Sequence, residues 1–159
     1  MTPSQAMNRA AALCAASEQA PGDIRAKLAK WGLTPSDAAA VLRQLNEQGF
    51  IDERRFARAF VHDRFAFNGW GRIKIAHQLR LKGITDGGII DEALAAIGDE
   101  EYRETLTGLL RAKWRVVQDR EPRAAWAAMM RFAASRGFEP GLTADVIKQI
   151  TRIDDVQDD

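Results

Sequence analysis

The fold is decided by a short stretch near the amino terminus, KLAKWGLTP at residues 27–35, and by two later stretches built like it. The later stretches read QLRLKGITD at residues 78–86 and FAASRGFEP at residues 132–140. In each, a helix-forming run ends at a glycine, which an apolar residue follows. Glycine adopts the left-handed conformation that ends many helices, and the apolar residue then packs back on the last turn. Each stretch therefore predicts a helix, a tight turn and a second helix.

The three stretches lie roughly fifty residues apart, which is typical of tandem helical repeats. Each repeat also has room for a leading helix, at about residues 4–18, 53–67 and 100–118. Alternating Val-, Ile- and Thr-rich runs, the mark of strands, are absent from the sequence. We predict an all-α fold of three tandem three-helix repeats in an elongated, curved array. The expected divisions are repeat 1 at 1–49, a basic central repeat 2 at 50–98, repeat 3 at 99–153 and an acidic tail at 154–159.

Local patterns predict helix caps and buried faces. The side chains of Thr34, Asp52 and Thr85 are expected to cap the helices that follow them. In the leading helix of repeat 2, a turn of about 100° per residue places Phe56, Phe60 and Phe67 on one side, toward the core. It places Arg54, Arg55 and Arg58 on the other side, facing outward. In the next helix, Ile75, Ala76 and Leu79 form the predicted buried stripe.

The net charge of +1 conceals an uneven distribution of charge. Residues 54–82 contain eight basic residues and one acidic residue, Asp63. Most charged helix faces are merely solvated, but such faces usually mix both signs, so this segment points to an anionic partner, either phosphates or an acidic protein surface. Arg72 adds a hint, because a cation at a helix start opposes the helix dipole. The predicted binding residues are Arg54, Arg55, Arg58, Arg64, Trp70, Arg72, Lys74, Arg80 and Lys82.

Catalytic, cofactor and metal sites are not predicted. Gly69–Gly71 lacks the third glycine and the preceding strand of a dinucleotide loop. His62, His77 and Cys14 lack metal-ligand spacing, and Asp52–Glu53 is better explained as the start of a helix than as a catalytic pair. The single cysteine and the absence of a long apolar run fit a reducing compartment and no membrane span. We expect a cytoplasmic, non-enzymatic monomer that binds no cofactor.

Three motifs resemble the signature of the RecX family: GFIDERRFARAFV at residues 49–61, GRIKIAHQLRLKGI at 71–84 and SRGF at 135–138. The resemblance implies a regulator that binds in the groove of RecA recombinase filaments. Such a protein inhibits or modulates the ATPase, strand-exchange and coprotease activities in recombination, DNA repair and the SOS response, and contacts DNA largely through phosphates. Residues 19–24, Ala133 and the acidic tail depart from the family pattern.

The alternative is a stand-alone DNA-binding protein of helix-turn-helix character, because three-helix units with a basic outer helix enter the major groove. This alternative predicts tight, sequence-selective binding to naked DNA with a steep dependence on salt. An enzyme is the third class considered, and no motif supports it.

Overall fold

The computed structural model describes the backbone of residues 1–158 and the side chains as far as Arg152. Over this part of the chain all regular structure is helical, in nine helices. They are α1 (Pro3–Ala16), α2 (Pro21–Lys30), α3 (Pro35–Glu47), α4 (Glu53–Asn68), α5 (Arg72–Leu81), α6 (Gly87–Ala95), α7 (Asp99–Val117), α8 (Pro122–Ser135) and α9 (Pro140–Asp158). The all-α prediction is confirmed, and the leading helices α1, α4 and α7 begin and end within two residues of their predicted bounds. The predicted acidic tail lies outside the described side chains.

The glycine turns form as predicted. Gly32, Gly83 and Gly137 have φ values of 89°, 93° and 92°. In each turn the amide of the following residue donates a hydrogen bond of 3.0–3.1 Å to the carbonyl five residues earlier. The apolar residues that follow the glycines, Leu33, Ile84 and Phe138, are at most 8% exposed. The apolar residue thus closes the helix end and enters the core, as this type of helix terminus requires.

Two of the three predicted caps are confirmed. Thr34 Oγ1 accepts a hydrogen bond from the amide of Asp37 at 3.2 Å, and Asp52 Oδ1 accepts from the amide of Arg55 at 3.0 Å. The prediction for Thr85 is wrong, because Asp86 Oδ1 accepts from the amide of Gly88 at 2.9 Å instead. The second turn contains one residue more than the first, which moves the capping position from Thr85 to its neighbour.

The chain divides into two compact units. The first contains Met1–Val61 and His77–Leu94, and the second contains His62–Ala76 and the chain from Ala95 onward. In the first unit α1–α3 enclose an apolar core that includes the fully buried Ile24, Leu28 and Leu45. In the second unit the largest fully buried side chains include Tyr102, Leu106, Leu110, Met129 and Phe138. Helices α4 and α5 each contribute residues to both units, and the three-part division remains a prediction.

The buried stripe of α4 differs from the predicted one. Ala57, Val61 and Phe65 are at most 6% exposed, whereas Phe67 is 78% exposed. Phe56 and Phe60 are only half-buried, and their rings stack on each other at 5.7 Å. The prediction favoured the largest side chains as the buried ones. Instead the small Ala57 lies where α4 packs most closely, and the buried stripe continues from it at four-residue spacing. On α5 the predicted stripe of Ile75, Ala76 and Leu79 is confirmed.

Among the described residues, no helix combines the length and apolar character that a bilayer crossing demands. Over the same part of the chain, no group of three or more His, Cys, Asp or Glu residues is placed to hold a metal ion.

Candidate partner-binding surface

The basic segment at residues 54–82 acquires carboxylate neighbours when the chain folds. Arg54 on α4 pairs with Glu92 on α6, and Arg55 pairs with Glu18, which follows α1. The Glu18 hydrogen bond is the main reason that the pKa of Arg55 is raised. Nearby, burial raises the pKa of the half-buried Cys14 thiol, and the charge of Glu18 raises it further. Arg54 and Arg55 are therefore paired within the chain, which the single acidic residue among residues 54–82 did not indicate.

Lys82 pairs with Asp23 at 3.1 Å. It lies beside a close backbone contact between Gly22 and Gly83, which we call the first glycine joint. The amide of Gly22, at the start of α2, donates a hydrogen bond of 2.8 Å to the carbonyl of Lys82. A Cβ on Gly22 would lie 2.7 Å from that oxygen, so a side chain there would force the backbones apart. Lys82 thus holds two helices of its own chain together.

The second glycine joint, Gly71 with Gly137, repeats the arrangement in the second compact unit. The amide of Gly71 donates to the carbonyl of Arg136 at 2.7 Å, and the amide of Ile73 donates to the carbonyl of Gly137 at 3.0 Å. The joints place the starts of α2 and α5 against the glycine turns that follow α5 and α8, respectively. Neither joint was predicted from the sequence. Their shared signal is a glycine at a helix start followed by a charged residue and isoleucine, at residues 22–24 and 71–73.

Arg72 belongs to a polar cluster beside the second glycine joint. Its guanidinium pairs with Asp99 at 3.0 Å and Glu139 at 3.1 Å, and lies 3.8 Å from the centre of the Tyr102 ring. The Tyr102 hydroxyl accepts a hydrogen bond from the amide of Arg72 at 3.0 Å and donates one to Glu139. Burial, with the hydrogen bond to Glu139, raises the pKa of Tyr102. The cation at the start of α5 is thus matched by carboxylates of its own chain.

The other predicted residues have different surroundings. Arg58 and Arg80 are exposed and make no ion pair with any residue that the structure describes. The Arg64 guanidinium lies 5.8 Å and Lys74 Nζ 4.5 Å from the centre of the Trp70 ring. We call these three residues the Trp70 cluster. Four of the nine predicted residues therefore hold the fold through ion pairs, and three meet around one indole.

A similar group on α7 and at the end of α8 was not predicted from the sequence. Lys113 Nζ and the Arg136 guanidinium lie 5.6 Å and 5.2 Å from the centre of the Phe132 ring. We call these residues the Phe132 cluster. The uneven charge pattern drew attention to residues 54–82 instead, because acidic residues crowd the first turn of α7, at Asp99, Glu100 and Glu101. A count taken helix by helix would have found the cations.

The sequence of the chain is similar to those of known regulatory proteins. Residues 52–94 match the family model of the second three-helix domain of RecX. The chain is 34% identical to regulatory protein RecX of Halorhodospira halophila over 84% of this chain and 66% of the relative. It is also 34% identical to regulatory protein RecX of Mycolicibacterium vanbaalenii, over 87% of this chain and 80% of the relative. The alignment with the first relative thus falls just short of two thirds of that protein's length.

Solved structures show the same fold. A crystal structure of regulatory protein RecX superposes with a TM-score of 0.82 at 21% identity, covering 92% of this chain and 71% of the other. A crystal structure of RecX from Lactobacillus salivarius gives a TM-score of 0.82 at 17% identity, covering 94% of this chain and 96% of the other.

Proposed function

Because the chain belongs to the RecX family of regulatory proteins, we propose that it binds filaments of the RecA recombinase and modulates their ATPase, strand-exchange and coprotease activities. The observation that carries the proposal is the similarity to a regulatory protein RecX at 34% identity, across 87% of this chain and 80% of the relative. The proposed setting is recombination and DNA repair.

The proposed mechanism is bridging. Successive helical repeats offer separate contact surfaces, and a protein that meets neighbouring protomers of a filament gains avidity from each added contact. A bridge between protomers would oppose the rearrangements that accompany ATP turnover. This mechanism needs no catalytic group.

Arg58 and Arg80 are the proposed protein-contact residues. Both side chains are exposed and make no ion pair within the described part of the chain. Arg54, Arg55, Arg72 and Lys82 are engaged by their own carboxylates, so they are better assigned to holding the fold. Exposed, unmatched cations favour encounter with an acidic partner surface.

The composition of α6 disfavours the helix-turn-helix alternative. In a three-helix unit of that type the last helix usually enters the major groove. The last helix of the middle repeat is α6, which contains Asp91 and Glu92 and no basic residue. Phosphates flank the groove, so an acidic helix would be repelled from it.

The test is RecA ATPase activity on single-stranded DNA at substoichiometric amounts of the regulator, with the recombinase of the same organism. We expect the unaltered chain to inhibit. The R58E/R80E variant should raise the half-inhibitory concentration at least about tenfold, which corresponds to about 1.4 kcal/mol. The matched control is R25E/R43E, which reverses two exposed cations of the first repeat that make no ion pair with a described residue.

The possible results test the regulatory role and the proposed contact residues separately. Absence of inhibition by the unaltered chain at any ratio would refute the regulatory proposal. Equal inhibition by R58E/R80E and R25E/R43E would retain the role and refute these residues as its contact surface. Helical circular dichroism verifies that each variant folds.

A further inference from the structure

Three long stretches of the chain contain basic residues and no acidic residue. Residues 64–85, 105–118 and 122–138 contain neither Asp nor Glu, and together carry eleven Lys and Arg residues. They include all of α5, the last three turns of α7 and all of α8. The acidic residues of the third repeat lie outside these stretches, so charge of one sign is concentrated on these helices.

The Trp70 and Phe132 clusters are connected through the second glycine joint. The carbonyl of Arg136 accepts the amide hydrogen bond of Gly71, which is the neighbour of Trp70. The Arg136 guanidinium approaches the carbonyl of Asn68 at 3.5 Å. All of these residues belong to the second compact unit. Two groups distant in sequence therefore form one local surface.

A third connection runs through α7. A Cβ on Gly69 would lie 3.7 Å from Leu109 Cδ1. Leu109 is four residues before Lys113, and residues at this spacing share a helix face. The loop that carries Trp70 therefore lies against the same face of α7 that presents Lys113.

The side chains of this surface combine cations with aromatic rings. Lys74, Lys113 and Arg136 make no ion pair with any described residue, and each lies beside an aromatic ring. The ring of Phe67, in the last turn of α4 next to Asn68, is 78% exposed. Its only described ring contact is an edge-on one with His62 at 6.2 Å. An open aromatic face beside a row of cations matches the stacking platforms that bind single strands.

We infer that Trp70, Lys74, Lys113, Phe132 and Arg136 form a strip that binds the phosphate backbone of single-stranded DNA. The rings of Trp70 and Phe132 hold the cations in place, and Phe67 stacks on an unpaired base. This inference deepens the proposed function, because it assigns the DNA contact to a surface shared by repeats 2 and 3. A duplex would satisfy the cations but would leave Phe67 without an accessible base, so single strands are the expected ligand.

The test is fluorescence anisotropy of a labelled oligothymidylate with the full-length chain, without recombinase, over a range of salt concentrations. Each phosphate contact on a single strand contributes about −0.7 to the slope of log affinity against log salt. Three cations predict a slope of about −2.1, or about an 18-fold loss of affinity between about 50 and 200 mM salt. The K113Q/R136Q variant should have a slope of about −0.7 and lose only about 3-fold over that range.

The matched control is R25Q/R43Q, which removes the same charge from exposed positions in the first repeat. It should keep the original slope. F67A should weaken binding to the oligothymidylate at least about fivefold and leave binding to a duplex of equal length unchanged. If K113Q/R136Q loses helical signal, K74Q provides the same test with a slope change of about 0.7.

Three results would overturn the inference. The first is an equal slope for K113Q/R136Q and R25Q/R43Q. The second is duplex binding as tight as single-strand binding together with no effect of F67A. The third is failure to bind either DNA form while a labelled polyaspartate peptide binds in a K113Q/R136Q-sensitive manner, which would make the strip a site for acidic protein. Because recombinase is absent from this assay, its outcome is independent of whether the chain inhibits RecA.

Discussion

Replacement of Gly71 by alanine should destabilise the second compact unit for reasons of space alone. The added Cβ would lie 2.6 Å from the backbone nitrogen of Phe138 and closer still to the carbonyl of Gly137. These are backbone atoms of a tight turn, so no side chain can rotate away to relieve the overlap. The two chain segments must move apart.

The size of the expected loss of stability follows from the contacts that this movement disrupts. Overpacking of a closely fitted contact costs about 1–3 kcal/mol. The shift also weakens the hydrogen bonds from the amides of Gly71 and Ile73, which measure 2.7 and 3.0 Å. Each such bond contributes about 0.5–1.5 kcal/mol, so G71A should lower the free energy of unfolding by about 2–6 kcal/mol. The expected fall in Tm is at least about 4 °C.

The control is a glycine whose replacement should have the opposite effect. Gly108 lies inside α7, and a Cβ there would meet nothing within 4 Å. Alanine is a better helix former, so G108A should stabilise the protein by about 0.5–1 kcal/mol. Urea unfolding followed by circular dichroism and tryptophan fluorescence measures both changes. A G71A stability within about 0.5 kcal/mol of the unaltered chain, the usual range for surface substitutions, would refute the glycine joint as a close contact.

Two further predictions concern polar contacts. The pKa of Tyr102 is raised on folding, so the protonated hydroxyl stabilises the fold fully at pH values below the unfolded pKa of about 10. This stabilisation is lost as the pH rises beyond that value. As the chain has one tyrosine, tyrosinate absorbance should show that the folded protein ionises at a higher pH than free tyrosine. The Y102F variant should lose less stability at alkaline pH than the unaltered chain. Ionisation of the folded protein at an ordinary tyrosine pKa would contradict this. R54E should destabilise by at most about 1 kcal/mol, since both partners of its exposed pair with Glu92 remain solvated, and R54E/E92R should restore the loss. A double-mutant cycle in urea measures the coupling, and a swap that fails to recover stability would argue against the pair.

The sequence predicted features that depend on a few neighbouring residues. Gly83 ends α5, Ile84 packs behind it, and Asp52 caps α4, because each of these interactions is completed within one or two helical turns. Even here a single inserted residue moved a cap from Thr85 to Asp86. The motifs that resemble RecX were equally legible, since they combine these local signals in a fixed order.

The tertiary structure alone decided which cations have partners. Arg55 meets Glu18 across 37 residues of sequence, and Arg72 meets Glu139 across 67. A charge count along a segment cannot register such pairs, because ion pairing depends on separation in space rather than along the chain. The same reason explains why Lys113 and Arg136 were overlooked while Arg54 and its neighbours were expected to be uncompensated. Folding placed carboxylates beside the conspicuous cations and gathered the dispersed ones around aromatic rings.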